Sequence, residues 1–306
     1  MKILVGYTGF VGSNLYKNTT FDAVYNSKNI QDAFGTNPDL LIYSGIRAEK
    51  YLANNFPEND LTSIIEAQNN IKKINPKKIV LISTIDVIKT PIDTDEDFEI
   101  VTEDLHPYGY HRYLLEQFVK DNYSDSLIVR LPGLYGKNIK KNFIYDFINK
   151  IPSMLNAEKF IQFKEKHPSI SKYYDIQNNG FYKLKEINEQ ERLELLNIFN
   201  KLHFSSLNFS DSRSIYQFYN LERLWGDIEI ALNNNINILH LATEPVSVYE
   251  IYKYITGEDF KNEISLTPAN YNYKTKYDYL FNGKNGYMSD KKYVLEDIKN
   301  FIKNYN

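Results

Sequence analysis

The sequence predicts an α/β protein, a doubly wound parallel sheet followed by a smaller mixed C-terminal domain. Three observations carry this expectation. Short runs that are apolar on both faces recur through the first half of the chain, and helical stretches separate them. Three of only 13 glycines then fall within seven residues, directly after the first of those runs.

That first run, Ile3-Leu4-Val5, reads as a buried strand ending at Gly6, with Gly9 and Gly12 leading into the helix-like stretch SNLYKN. In such a turn the backbone at Gly9 can approach a phosphate because no Cβ intervenes. The helix amides opening at Phe10 and Val11 face the anion, and Gly12 lets the helix lie close on the strand. The segment is therefore the predicted pyrophosphate cradle of a Rossmann-type sheet; a glycine turn that merely ends a strand is the competing reading. The second strand spans Phe21 to Asn26. An Asp or Glu about 20 residues past the turn usually accepts from the ribose 2′-hydroxyl, but here Asn26, Ser27 and Lys28 occupy the place. A hydroxyl and an ammonium suit a 2′-phosphate better than an acid would, so the expected cofactor is NADP or NAD, with a lean to NADP. Solvated turn residues are the alternative for Ser27 and Lys28.

The third strand runs from Pro38 to Gly45, a helix from about Asn59 to Ile74, and the fourth strand from Lys78 to Ser83 and Thr84. A helix from Tyr108 to Lys120 precedes the fifth strand, Ser126 to Leu131, which Pro132 follows. Ligands of such sheets sit beyond the carboxyl ends of the strands, which places Gly9, Ser44, Thr84 and Pro132 on one rim. Ile236–Leu241 reads as a strand returning to the sheet and Tyr293–Ile302 as a terminal helix. The expected division is a dinucleotide-binding domain over residues 1–150 and a substrate-binding region over 151–306, of which about 213–245 returns to the sheet. Residues 150–205 carry no pattern that assigns them.

Tyr108 and Arg112 stand four residues apart and so share a helix face. A phenol beside a fixed cation is a tuned proton donor and acceptor, because the cation favours phenolate and draws the tyrosine pKa down from about 10. Thr84, leaving the fourth strand, can offer a hydroxyl to the same substrate oxygen. The competing reading pairs Arg112 with Glu116, one turn on, and leaves Tyr108 as one of 26 tyrosines.

Together these residues resemble the extended short-chain dehydrogenase/reductase family, the epimerase/dehydratase group that works on nucleotide sugars. GYTGFVG is similar to its nucleotide loop, VLISTIDVI to its strand-end Ser/Thr motif, YGYHRYLLE to its Y-G-x-S-K-x-x-x-E helix and VRLPGLYG to the strand and loop that follow. Later, SRSIYQFYNLERLWGDIEIAL and ILHLATEPVSVYEIYKYI are similar to two segments of its substrate-binding part. The resemblance implies Tyr108 as general acid/base, Thr84 as its hydrogen-bonding companion, and Arg112 in the place of the family lysine that binds the nicotinamide ribose. It implies cofactor contacts at Gly6, Gly9, Phe10, Val11, Gly12, Asn26, Ser27, Lys28, Ser44, Gly45, Ser83 and Pro132. Arg in place of Lys keeps the charge but is bulkier and does not deprotonate. Gly133, where many members have Asn, and His111, where Ser is common, are further departures.

The family's 4,6-dehydratases use an acidic pair after the threonine, and the two places hold Ile85 and Asp86. Asp86 can serve as a base or substrate contact, or as a plain turn carboxylate, but Ile85 cannot protonate anything. The expected activity is therefore reduction of a 4-keto nucleotide sugar, with 4-epimerase or 4,6-dehydratase as alternatives and a non-catalytic dinucleotide-binding module as a third. Lys141, Asn142 and Arg213 are substrate-side candidates, Arg213 having an ion pair with Asp211 as its alternative.

Composition excludes other classes. Lys+Arg 36 against Asp+Glu 39 gives a net charge of −3, so no broad basic surface for nucleic acid is expected. With no Cys there is no disulfide, thiol nucleophile or thiolate metal site, and the five His lack ligand spacing. No apolar run approaches the ~20 residues of a membrane span, and Gly6 interrupts the opening run where a signal peptide would continue. A cytoplasmic protein is the expectation, with a homodimer through the Tyr108 helix implied by the family's habit.

Overall fold

The structure, a computed structural model, describes residues 1–305. The chain forms two compact units. The first comprises 1–139, 215–246 and 269–306, the second 140–214 and 247–268. The boundary thus falls at Ile139/Lys140 rather than at 150. The C-terminal segment 269–306, which the sequence reading assigned to the substrate region, belongs to the first unit.

The first unit is built on a six-stranded sheet. Its strands are β1 (Lys2–Val5), β2 (Ala23–Tyr25), β3 (Leu40–Tyr43), β4 (Lys78–Thr84), β5 (Ser126–Leu131) and the edge strand Ile238–His240. The order is β2-β1-β3-β4-β5-edge and every pairing is parallel. The side chains alternate between two cores, which is why the strands read as continuous apolar runs. Leu4, Ile42, Val80, Leu127 and Val129 pack on one face with Leu15 of α1 (Phe10–Asn18) and with Leu224 and Ile228 of the helix Leu224–Asn233. Ile3, Leu41, Ile79, Leu81 and Ile128 pack on the other with Ile64 and Ile71 of α3 (Pro57–Ile74) and Leu115 and Val119 of α4 (Pro107–Asn122). A short helix the sequence did not suggest, α2 (Lys50–Asn55), precedes α3.

Chain order reverses between β1 and β3, so the crevice at their carboxyl ends is the switch point where such sheets take ligands.

The second unit has its own core of Ile151, Leu155, Phe160, Phe163, Ile170, Tyr173, Tyr174, Leu195 and Phe199. The helices Ala157–Lys166 and Glu189–Lys201 accompany a small antiparallel sheet, Met154–Leu155, Tyr182–Leu184 and Tyr174–Ile176. Phe160 stacks on Tyr182 with ring centroids 3.7 Å apart. Part of the chain's aromatic surplus is used here, to build a core from few aliphatic residues.

Candidate active site

At the switch point the glycine turn is fixed by close approach. Gly6 has φ +93°, and a Cβ there would lie 2.5 Å from the Ser44 carbonyl oxygen, so no other residue fits. A Cβ on Gly12 would lie 2.1 Å from the Gly6 oxygen, which is what lets α1 seat on β1. Ser44 holds the facing strand end by donating its hydroxyl to the Val5 carbonyl at 2.8 Å. Gly9 is the N-cap of α1, and no side chain caps the helix or puts an acid in its first turn. The amides and the positive end of the helix dipole are left for an anion, and the residues present fit a dinucleotide pyrophosphate. Beyond β2, Asn26 folds its carboxamide oxygen back onto the Lys28 amide at 2.9 Å, while Ser27 and Lys28 are exposed.

Two strands along the same edge, β4 ends at Thr84, whose hydroxyl accepts from the Asp86 amide at 3.2 Å. Helix α4 starts against this turn. A Cβ on Gly109 would lie 2.1 Å from the Asp86 carbonyl oxygen, so the glycine after Tyr108 lets the helix dock there. The Tyr108 amide donates to Asn54 Oδ1 at 2.9 Å, and the His106 ring accepts from the Gly109 amide at 3.2 Å. Tyr108 is buried, and the Thr84 side chain is among the groups that act on its phenol, favouring phenolate. Asp86 Oδ1 accepts from Lys50 Nζ and from the Tyr271 hydroxyl, each at 2.9 Å.

Arg112 does not pair with Glu116. Its Nη1 donates to Asp60 Oδ2 at 2.5 Å and its Nη2 to the Arg47 carbonyl at 2.7 Å, with the guanidinium 4.0 Å from the Tyr108 ring centroid. His111 Nδ1 lies 2.8 Å from the same Asp60 oxygen. Glu116 instead meets Arg130, and the Ser83 hydroxyl donates to it at 2.5 Å. The electrostatic outcome differs from the expectation. Arg112 does favour phenolate, but burial dominates and Asp86 adds to it, so the Tyr108 phenol is pushed up to about 12.

No family model matches the sequence, and no curated protein sequence does. Solved structures match over the whole chain. The dTDP-4-dehydrorhamnose reductase of Bacillus anthracis str. Ames, in complex with NADP, aligns at TM-score 0.63 and 17% identity, covering 99% of this chain and 98% of that one. The dTDP-4-dehydrorhamnose reductase of Yersinia enterocolitica aligns at 0.64 and 13%, covering 100% and 99%. The UDP-N-acetylglucosamine 4-epimerase of Methanobrevibacter ruminantium M1, in complex with UDP-N-acetylmuramic acid, aligns at 0.63 and 12%, covering 99% and 98%. The chain shares the fold of these solved structures.

On that fold, the glycine turn, Ser44, Gly45, Thr84, Asp86, Tyr108 and Arg112 all lie in the first unit. Ser83 spends its hydroxyl inside the buried Glu116 network and has only its backbone to offer a cofactor. Pro132 leads into the short strand Gly133–Tyr135, paired with Phe218–Asn220. Lys141, Asn142 and Arg213 belong to the second unit. There Asn142 caps the helix Phe143–Asn149, accepting from the Ile144 and Tyr145 amides. Arg213 grips Asp211 with Nε at 3.0 Å and Nη2 at 2.8 Å and donates to the Ser265 carbonyl at 2.7 Å, the alternative the sequence left open. Sequence reasoning missed Lys50, Asp60 and Tyr271. Asp60 carried a signal, an acid in the first turn of a helix, but that signal reads equally as a dipole partner. Among the described residues no group of His, Asp and Glu is placed to hold a metal, and no helix is long and apolar enough to cross a membrane.

Proposed function

We propose that the chain is an NAD(P)-dependent oxidoreductase that reduces the 4-keto group of a nucleotide-activated sugar, with Tyr108 as general acid. The observation that carries this reading is the Thr84–Tyr108 pair on the same sheet edge as an uncapped glycine turn. The α1 amides and the Gly6–Gly12 turn would hold the pyrophosphate, Asn26 to Lys28 the adenosine ribose, and Ser44 and Gly45 the neighbouring sugar. Bound dinucleotide supplies hydride. The side chains do the rest: Thr84 orients the substrate oxygen, and Tyr108 delivers its proton to it. Arg112 gives its Nη1 to Asp60 and its Nη2 to the Arg47 carbonyl, so a ribose contact in the place of the family lysine would fall to its remaining N–H groups.

Asp86, one oxygen already held by Lys50 and Tyr271, is set to accept a sugar hydroxyl. With Ile85 beside it, the paired carboxyls of a 4,6-dehydratase are not assembled. A 4-epimerase needs the same Thr84 and Tyr108, and the fold match to one is as good. Lys141, Asn142 and Arg213 complete the proposal on the substrate side, and association as a homodimer belongs to it.

The deciding experiment follows consumption of reduced nicotinamide with dTDP-4-dehydrorhamnose and related 4-keto sugar nucleotides, beside analysis of any nucleotide released on denaturation. A reductase exchanges its cofactor each turnover; an epimerase retains it. Tyr108→Phe should lower kcat by roughly 10²–10⁴ while dinucleotide binding persists. Unchanged turnover in that variant would sink the assignment.

A further inference from the structure

This inference rests on Tyr108 being the group that exchanges a proton with substrate. Charged and titratable groups face its phenol from every element packed against it. On its own helix, Arg112 lays its guanidinium 4.0 Å from the ring centroid. From α3, Asp60 takes that guanidinium at 2.5 Å and also meets the His111 ring at 2.8 Å. Beyond β4 stand the Thr84 hydroxyl and Asp86, the latter held at 2.9 Å by Lys50 of α2 and at 2.9 Å by the Tyr271 hydroxyl. The His106 ring centroid lies 6.4 Å from that of Tyr108. Each cation therefore has its own anion, Arg112 with Asp60 and Lys50 with Asp86, and the first pair is buried at both ends, with side-chain exposures of 6% and 11%.

A lone cation beside a buried phenol would draw it toward phenolate against the effect of burial; a cation closed into an ion pair draws it less. We propose that Asp60 neutralises Arg112 so that Tyr108 rests as the phenol, and that the site is thereby set to give a proton to a substrate oxygen rather than to take one. In the reduction, the Tyr108 O–H bond breaks and a new O–H bond forms on the former carbonyl oxygen. The electron pair arrives as hydride from reduced nicotinamide, and Tyr108 is left as phenolate to be reprotonated from solvent. A cycle that opens by oxidising an alcohol needs the phenolate first, and this arrangement withholds it. Burial leads the upward displacement of the Tyr108 pKa; Arg112 opposes it, and Asp86 and Asp60 add to it.

The test is read on the free protein. With ¹³C-labelled tyrosine, the Tyr108 resonance is the one absent from Tyr108→Phe, and its chemical shift is followed with pH. Wild-type Tyr108 should remain a phenol past about pH 10, where exposed tyrosines are half ionised. Asp60→Asn should lower its midpoint by one unit or more, a tenfold change. Because a buried, uncompensated Arg112 can cost the fold, the double variant Asp60→Asn/Arg112→Gln, neutral at both places, is the second arm. Its midpoint should stay within about one unit of wild type. A wild-type phenolate below about pH 8, an unmoved midpoint in folded Asp60→Asn, or a larger displacement in the double variant would each overturn the proposal. Failure to reduce any 4-keto sugar would defeat the reductase reading and leave these midpoints as they are.

Discussion

Removing the charge of Glu116 should cost the fold a large share of its stability. Glu116 is completely buried on α4. It accepts from Arg130 Nε at 3.1 and 3.2 Å, from Arg130 Nη2 at 2.7 Å and from the Ser83 hydroxyl at 2.5 Å. Arg130, 1% exposed, spends its remaining Nη1 on His240 Nε2 at 3.1 Å. In Glu116→Gln one acceptor becomes an NH₂ aimed at a guanidinium that can only donate, and the arginine charge stays buried without a counter-ion. Breaking such a pair costs about 3–5 kcal/mol. Set against a total stability of roughly 5–15 kcal/mol, that is a large share. At about 2–4 °C per kcal/mol for a chain somewhat smaller than this one, the midpoint should fall by roughly 6–20 °C. The double variant Glu116→Gln/Arg130→Met leaves no charge behind and should recover about 2 kcal/mol or more relative to the sum of the singles. Urea and thermal unfolding measure both. A Glu116→Gln protein within about 0.5 kcal/mol of wild type, or strict additivity in the cycle, would refute the reasoning.

Three further outcomes are expected. Gly12→Ala drives a Cβ to 2.1 Å from the Gly6 oxygen and should abolish dinucleotide binding in a fluorescence titration; wild-type affinity would contradict the cradle. Lys28→Glu should weaken NADP by about tenfold more than NAD, roughly 1.4 kcal/mol, and equal losses for the two would remove the 2′-phosphate from that place. His240 is held down at about 3 by burial and then by Arg130. A histidine neutral when folded but protonated when unfolded contributes stability that is complete above about 6.5 and is lost as pH falls toward 3, so His240→Gln should show a shallower decline through that window. An identical slope in urea unfolding would refute it.

The sheet was legible because burial on both faces leaves unbroken apolar stretches, Ile79-Val80-Leu81-Ile82 in one strand and Leu127-Ile128-Val129 in the next. The second unit was not. Its core is assembled from scattered aromatics such as Phe160, Tyr174 and Phe199, whose spacing follows no single period. Its clearest local signal is the Asn188–Glu191 capping box at the start of Glu189–Lys201. At the site, helix geometry made the Tyr108–Arg112 neighbourhood readable, and the glycine cluster marked the dinucleotide turn. What no local pattern could show is which way Arg112 turns, because its partner Asp60 lies 52 residues away and on another helix. Glu116 misled for the same reason: at i+4 from Arg112 it was a plausible partner, but its face of α4 looks onto the sheet and meets Arg130 of β5.

These pairings bear on how a dinucleotide can be held. Arg112 is closed by Asp60, Lys50 by Asp86 and Arg130 by Glu116, so these three cations are spent on the protein's own carboxylates. An arriving pyrophosphate must then be gripped by what carries no counter-ion, the amides at the start of α1 and the positive end of its dipole, and those exist only because Gly6, Gly9 and Gly12 keep side chains out of the turn. The same closure acts on Tyr108. Burial keeps the Tyr108 phenol protonated, and a protonated phenol at the end of the strand that carries Thr84 is the arrangement that suits reduction of a carbonyl rather than oxidation of an alcohol.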